Sequence, residues 1–244
     1  MTKRKSVCYE LSGVSNVIEI EVADNVFLPT KTSNLLISSI LKSIHGHRRT
    51  LDLGCGSGYI GIVLAKMGIV SGVLHASDRS PDAVSCCIQN AKSHKIDCDA
   101  RVGDLFDCWR GEKFELIVDT VSGVAEQIAD KSTWFPGASH CGAGKDGTEL
   151  TMRMLEVCVE HLVSDGLLVF PVLSLSNTRK IILKAEEMFR DVNLLVNQYF
   201  PVSVEMGASI DLLLAMAGED LINIKKIGEK WVWWISIYSA NNPI

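Results

Sequence analysis

An α/β fold is predicted: a doubly wound, mostly parallel seven-stranded sheet with helices on both faces. Three observations predict it. Apolar runs of strand length alternate along the chain with stretches of helical periodicity, the trace that βαβ units leave in a sequence. One apolar run, Leu51 to Leu53, passes directly into Gly54, Gly56 and Gly58 and then into the apolar stretch Ile60 to Met67. That is a strand, a tight turn and a helix start. Finally Asp52, Asp78, Asp104 and Asp119 all fall at or just past predicted strand ends, where such a sheet binds its ligands.

Taken in order, Val17 to Val22 alternates apolar and acidic residues and reads as a half-exposed strand. Asp24 to Thr32 is irregular. Leu35, Leu36, Ile40, Leu41 and Ile44 share helical spacing and predict a helix over Ser33 to Ile44. After the glycine turn, Gly72 to Ser77 is the second core strand, ending at Asp78. Ser80-Pro81-Asp82 then starts a helix, with Ser80 as cap and proline at the first helical position. Strands follow at Asp99 to Gly103 and Phe114 to Val118. Lys131 to Gly147 is a polar, glycine-rich loop, and Thr148 to Val163 a helix. Gly166 to Val172, Asn193 to Gln198 and Lys230 to Tyr238 are strands, with a helix over Asn177 to Phe189. In the last strand Trp231 and Trp233 alternate with smaller residues, which predicts core packing.

Composition narrows the function classes. The 244 residues suit one α/β domain, 46–244, preceded by an entrance segment and helix, 1–45. With 47% hydrophobic and 22% charged residues the chain is globular. A net charge of −5 argues against a broad nucleic-acid-binding face. Lys3-Arg4-Lys5 and Arg48-Arg49 read as a frayed terminus and a solvated turn. Eight cysteines without a Cys-x-x-Cys motif suggest buried, reduced thiols and a cytoplasmic protein. His45-x-His47 has no companion ligands, so no metal site is expected. No run reaches the ~20 apolar residues of a membrane span, and the first residues lack a hydrophobic signal core. Oligomeric state is not legible.

The glycine turn carries the chemistry. Gly56-x-Gly58-x-x-Gly61 fits a dinucleotide fingerprint, and on its own that is weak. Asp52 discriminates: a carboxylate at the end of a buried strand needs a cationic or hydrogen-bonding partner. The ammonium of S-adenosylmethionine (SAM) supplies one, whereas a pyrophosphate is repelled. The expected turn contacts are Gly54, Cys55, Gly56, Gly58 and Tyr59. Asp78, 24 residues after Gly54, stands where the ribose-binding acid of this architecture belongs, with Arg79 beside it. Asp104 is the expected acceptor for the adenine amino group, and Leu105-Phe106 a wall for the ring. Among the later residues, Asp119, Trp134 and His140 are the catalytic candidates. Asp119 would meet an ammonium, Trp134 with Phe135 would face the sulfonium, and His140 would act as base. Glu126 and Lys145 are further groups available to chemistry.

Asp52-Leu-Gly-Cys-Gly-Ser-Gly58 resembles the first motif of the Rossmann-like SAM-dependent methyltransferases. Asp78-Arg-Ser-Pro-Asp-Ala-Val84, Asn90-Ala91, Gly103-Asp-Leu-Phe106, Phe114-Glu-Leu-Ile-Val118 and Gly144-Lys-Asp-Gly147 are similar to segments of the HemK-like methyltransferases. Val26-Phe-Leu-Pro29 resembles that family's entrance motif, and the resemblance covers roughly residues 26 to 190. It implies transfer of a methyl group to a glutamine amide or a similar planar nitrogen. One departure opposes this: the Asn-Pro-Pro-Tyr motif that grips such a nitrogen is replaced by Asp119-Thr120-Val121-Ser122. A methyltransferase of a small molecule is therefore expected. Two alternatives stay open: a cyclase that closes the SAM aminobutyryl arm to azetidine-2-carboxylate with release of methylthioadenosine, and a SAM-binding subunit without catalysis.

Overall fold

A computed structural model describes residues 4–10, 17–134, 142–206 and 208–244. Among them the strands form a two-stranded ribbon and an eight-stranded sheet. The eighth strand, against the seven expected, is the three-residue β9 at Lys225–Ile227, too short to leave a periodic signal. The chain divides into two compact units, one of residues 1–120 and 161–169, the other of 121–160 and 170–244.

The first unit holds the glycine turn. Its parallel strands are β3 (Thr50–Leu53), β4 (Leu74–Asp78), β5 (Cys98–Val102), β6 (Phe114–Asp119) and the start of β7 (Leu162–Leu173), in the order β5-β4-β3-β6-β7. Helix α1 spans Lys31–Ser43, α2 Tyr59–Lys66 and α3 Pro81–Ser93. The local signals held. Ser80 caps α3 by accepting from the Ala83 N–H, with Pro81 in the first turn. Thr30 and Ser33 form a reciprocal capping box at the start of α1. β3 is buried along its whole length, as a central parallel strand must be. Arg49 is not the solvated turn residue expected: it pairs with Glu112 and lies 4.7 Å over the Phe114 ring.

A ribbon of β1 (Arg4–Glu10) and β2 (Val17–Ala23) completes this unit, paired antiparallel from Arg4↔Ala23 to Glu10↔Val17. β2 alternates as read, with Ile18, Ile20 and Val22 buried. β1 was not foreseen, because its residues show no apolar period of their own. The ribbon is held by a polar stripe on α3. Asp82, Cys86, Asn90 and His94 recur every four residues and so share one helix face. Asp82 binds Asn25; Cys86 Sγ donates to the Glu21 carbonyl at 3.3 Å; His94 Nε2 lies 2.7 Å from the Glu19 carbonyl. Asn90 accepts from the Glu21 N–H at 3.1 Å and donates to the Glu21 carbonyl at 2.7 Å.

The second unit contains α4 (Glu126–Ala129), α5 (Glu149–Cys158), the end of β7, α6 (Thr178–Met188), β8 (Phe189–Pro201), α7 (Ile210–Gly218), β9 and β10 (Lys230–Pro243). β10 pairs antiparallel with both β8 and β9. β8 and β10 run several residues past their expected ends, since strand pairing carries polar residues that lack a pattern of their own. α7 lay in a stretch left unassigned, although Ser209 caps it on the Leu212 N–H. Trp233 is buried and stacks on Phe200 at 5.0 Å between ring centres. Among the described residues no helix is long and apolar enough to cross a membrane.

Candidate functional site

The site forms in the first unit, at the carboxyl ends of β3, β4, β5 and β6. Each glycine of the turn does something different. Gly54, Gly56 and Gly58 have φ of 81°, 52° and 78°, values that side chains with a Cβ rarely adopt. Among the described residues nothing lies within 4 Å of where a Cβ on Gly56 would sit, so this glycine opens onto free space. A Cβ on Gly58 would meet Cys87 Sγ at 2.7 Å, and one on Gly61 would meet Asp52 Oδ2 and Leu74 at 2.8 Å. Those two let α2 pack down on α3 and on the sheet.

The turn is pinned to β4. The N–H groups of Gly54 and Cys55 both donate to the Ser77 carbonyl, at 2.8 and 2.9 Å. Asp78 accepts from the Gly56 N–H through Oδ2 at 3.0 Å and from the Ser80 N–H through Oδ1 at 2.9 Å. The predicted ribose acid thus touches the predicted cofactor turn, and each oxygen keeps a lone pair for a ligand hydroxyl. Arg79 follows it directly and is exposed. Asn90 adds a further tie, donating from Nδ2 to the Ser57 carbonyl at 2.9 Å, so one amide joins the turn to the ribbon. Tyr59, 3% exposed, donates to Asn34 Oδ1 at 2.7 Å and meets the Tyr9 ring edge-on at 6.2 Å. Asn90 entered the sequence reading only within the HemK-like segment Asn90-Ala91, with no role given, and Asn34 not at all; the four-residue recurrence on α3 was a further signal.

Asp52 is placed differently from its reading as the partner of an ammonium. It is 1% exposed, and Oδ2 accepts from the Gly61 N–H at 2.9 Å in the first turn of α2. Oδ1 is enclosed without a hydrogen-bond partner among the described residues. Burial pushes its pKa up to about 7 against the pull of the Gly61 N–H, and the negative charge of Asp78 pushes the same way. Asp52 therefore holds the helix start from below.

Leu105 follows Asp104 with φ of 49° and is 9% exposed. Phe106 cannot wall an adenine: it is 2% exposed and stacks on His161 at 4.6 Å with the rings 8° apart. Asp119 ends β6 opposite Leu53 and is 1% exposed. Beyond it, where the HemK-like pattern has proline, Thr120 donates its N–H to the Leu53 carbonyl at 2.9 Å.

Trp134 lies in the second unit, its ring 5.8 Å from that of Trp233. Glu126 there accepts from the Gly144 N–H at 3.3 Å, and Lys145 pairs with Glu219 at 3.2 Å between exposed side chains. His140 and Phe135 lie outside the described residues. The structure thus brings together Asp52, Gly54, Cys55, Gly56, Gly58, Tyr59 and Asp78 around one turn. These residues fit SAM: open space over a glycine at positive φ and a carboxylate bonded beside it.

Known proteins agree. Residues 23–120 match the family described as Methyltransferase small domain. The release factor glutamine methyltransferase of Aquifex aeolicus is 30% identical over 159 residues, 62% of this chain and 56% of that protein. The ribosomal protein uL3 glutamine methyltransferase of Francisella tularensis is 29% identical, over 64% of this chain and 52% of that protein. This chain thus spans about half the length of these relatives. Among solved structures, the 16S rRNA N2 G1207 methyltransferase of T. thermophilus, in complex with AdoMet and guanosine, superposes with a TM-score of 0.61 at 14% identity, covering 98% of this chain and 50% of that one. The ribosomal protein L11 methylase of Lactobacillus delbrueckii gives 0.51 at 18% identity, covering 86% and 79%. The expectation of a small-molecule partner, with nucleic acid set aside, is corrected by these matches: the relatives are named for a release factor and a ribosomal protein, and a fold neighbour for rRNA. It had rested on net charge and one altered motif, and neither excludes a macromolecule that meets the protein locally. Residues 23–120 match the methyltransferase small domain, and the chain shares its fold with the T. thermophilus rRNA methyltransferase.

Proposed function

We propose that this chain is a SAM-dependent methyltransferase whose acceptor is a macromolecule. The observation that carries the reading is the glycine turn, with open space over Gly56 and the Asp78 carboxylate bonded beside it. Bound SAM supplies an electrophilic methyl group on its sulfonium. The chain's own residues bind and orient. Asp78 takes the ribose hydroxyls, Asp104 the adenine amino group, and Arg79 and Leu105 the edge and face of the ring. Gly54, Cys55, Gly56, Gly58 and Tyr59 bring the backbone close to the cofactor. Asp119 offers a carboxylate on the side of β3 away from Asp78, next to the acceptor. The names of the relatives support a protein or RNA acceptor over a free metabolite. Chemistry then needs the acceptor in line, about 3 Å from the methyl carbon, with water excluded.

The test is incubation with SAM tritiated in its methyl group, alone and with ribosomal proteins, release factors or RNA. Label is expected in a macromolecular fraction, with S-adenosylhomocysteine formed only when acceptor is present. Methylthioadenosine released from SAM alone would mean cyclisation of the aminobutyryl arm. SAM binding without either product would mean a non-catalytic subunit. Asp119→Ala, Trp134→Ala and His140→Ala are the variants for turnover. A catalytic role predicts at least a tenfold loss, an extra barrier of about 1.4 kcal/mol, and unchanged rates would remove that residue from catalysis.

A further inference from the structure

Thr120 makes bonds that the proposed function does not use. Its N–H donates to the Leu53 carbonyl at 2.9 Å. Its hydroxyl lies 2.9 Å from that same carbonyl and 2.6 Å from the carbonyl of Gly54. One hydroxyl proton serves one acceptor at a time, and Gly54 is the nearer. The Gly54 N–H meanwhile donates to Ser77 at the end of β4. The first glycine of the turn is thus held from both sides, its N–H on β4 and its C=O on β6. With φ at 81° it has little stiffness of its own, so the orientation of that carbonyl depends on these two bonds.

The strand order gives the bond to Thr120 a direction. In β5-β4-β3-β6 the acid for the nucleoside, Asp78, lies on β4, and Asp104 follows β5. Thr120 follows β6, on the opposite side of β3. A SAM molecule with its nucleoside at Asp78 and Asp104 would have the β6 side of the turn left for its amino-acid arm. We propose that Thr120 is a positioning residue for the amino-acid arm of SAM, acting through the Gly54 carbonyl. This rests on the reading of the turn as a SAM site. The hydroxyl occupies one lone pair of the carbonyl, and the second would be left to accept from the arm's ammonium.

Calorimetric titration of the full chain with SAM, and separately with methylthioadenosine, tests it. Methylthioadenosine keeps the nucleoside and lacks the ammonium-bearing arm. Thr120→Val is expected to weaken SAM about fivefold to tenfold, the equilibrium equivalent of one hydrogen bond, and to leave methylthioadenosine unchanged. Thr120→Ser retains the hydroxyl and is expected to recover the SAM affinity. Should Thr120→Val not fold, Thr120→Cys, with a weaker donor, is expected to show the same selective loss. Equal losses for both ligands, or none for SAM, would overturn the proposal. Failure of the unaltered protein to bind either ligand would instead remove the SAM site itself.

Discussion

Asp78 and Asp52 are both carboxylates at strand ends, and their surroundings separate them. Asp78 has two oxygens on two N–H groups and remains partly accessible. Losing it should remove charge-assisted bonds to the cofactor. Asp78→Ala is expected to cost about 1–3 kcal/mol of SAM binding, read by calorimetry; unchanged affinity in the folded variant would take Asp78 out of the site. Asp52 is a matter of stability. Its folded pKa, about 7, stands above the ordinary carboxylate value, so the fold favours the protonated form. That contribution is complete below about pH 4 and is lost as pH rises through about 7. Asp52→Asn, which is neutral at every pH and keeps an acceptor for Gly61, should therefore melt above the unaltered protein at pH 8. The gap should close as pH falls toward 4. A pH-independent gap would show that the carboxyl does not titrate in this window.

At the scale of the element, the turn and α3 carry the testable content. Gly56 faces open space and Gly58 faces Cys87, so adding side chains to them should do different things. Gly56→Val is expected to abolish SAM binding and leave most of the helical circular dichroism signal. Gly58→Ala should chiefly destabilise, because its Cβ would collide with Cys87 Sγ. On α3, Asn90 is 4% exposed and serves Glu21 twice and Ser57 once. Asn90→Leu leaves these backbone groups unpaired, at about 1–3 kcal/mol for each buried group. Faster amide hydrogen exchange over β2 is expected, and unchanged exchange there would show that packing of Ile18, Ile20 and Val22 alone retains the ribbon.

Over the whole molecule, ligand and fold are linked by mass action. SAM at a hundred times its dissociation constant should stabilise the unit that carries the turn by about 2.7 kcal/mol. That raises the melting transition by several degrees. A calorimetric scan in which SAM leaves the transition unmoved would remove the SAM site.

The sequence alone determined what is local. The strand, glycine turn and helix start at Thr50 to Lys66, the Ser80 cap with Pro81, and the alternation of β2 are each dictated by neighbours a few residues apart. Positive φ, a missing Cβ and a period of two or 3.6 residues are written in short windows. Candidate acids were legible too, because strand ends are local features. Only the tertiary structure decided what each polar atom meets. Glu21 and Asn90 stand 69 residues apart, and Thr120 and Gly54 stand 66 apart. Asp52 was assigned to a ligand and is held by Gly61; Phe106 was assigned to an adenine wall and is buried on His161. A hydrogen bond needs its partner within about 3 Å in space, and no spacing along the chain fixes which distant group arrives there.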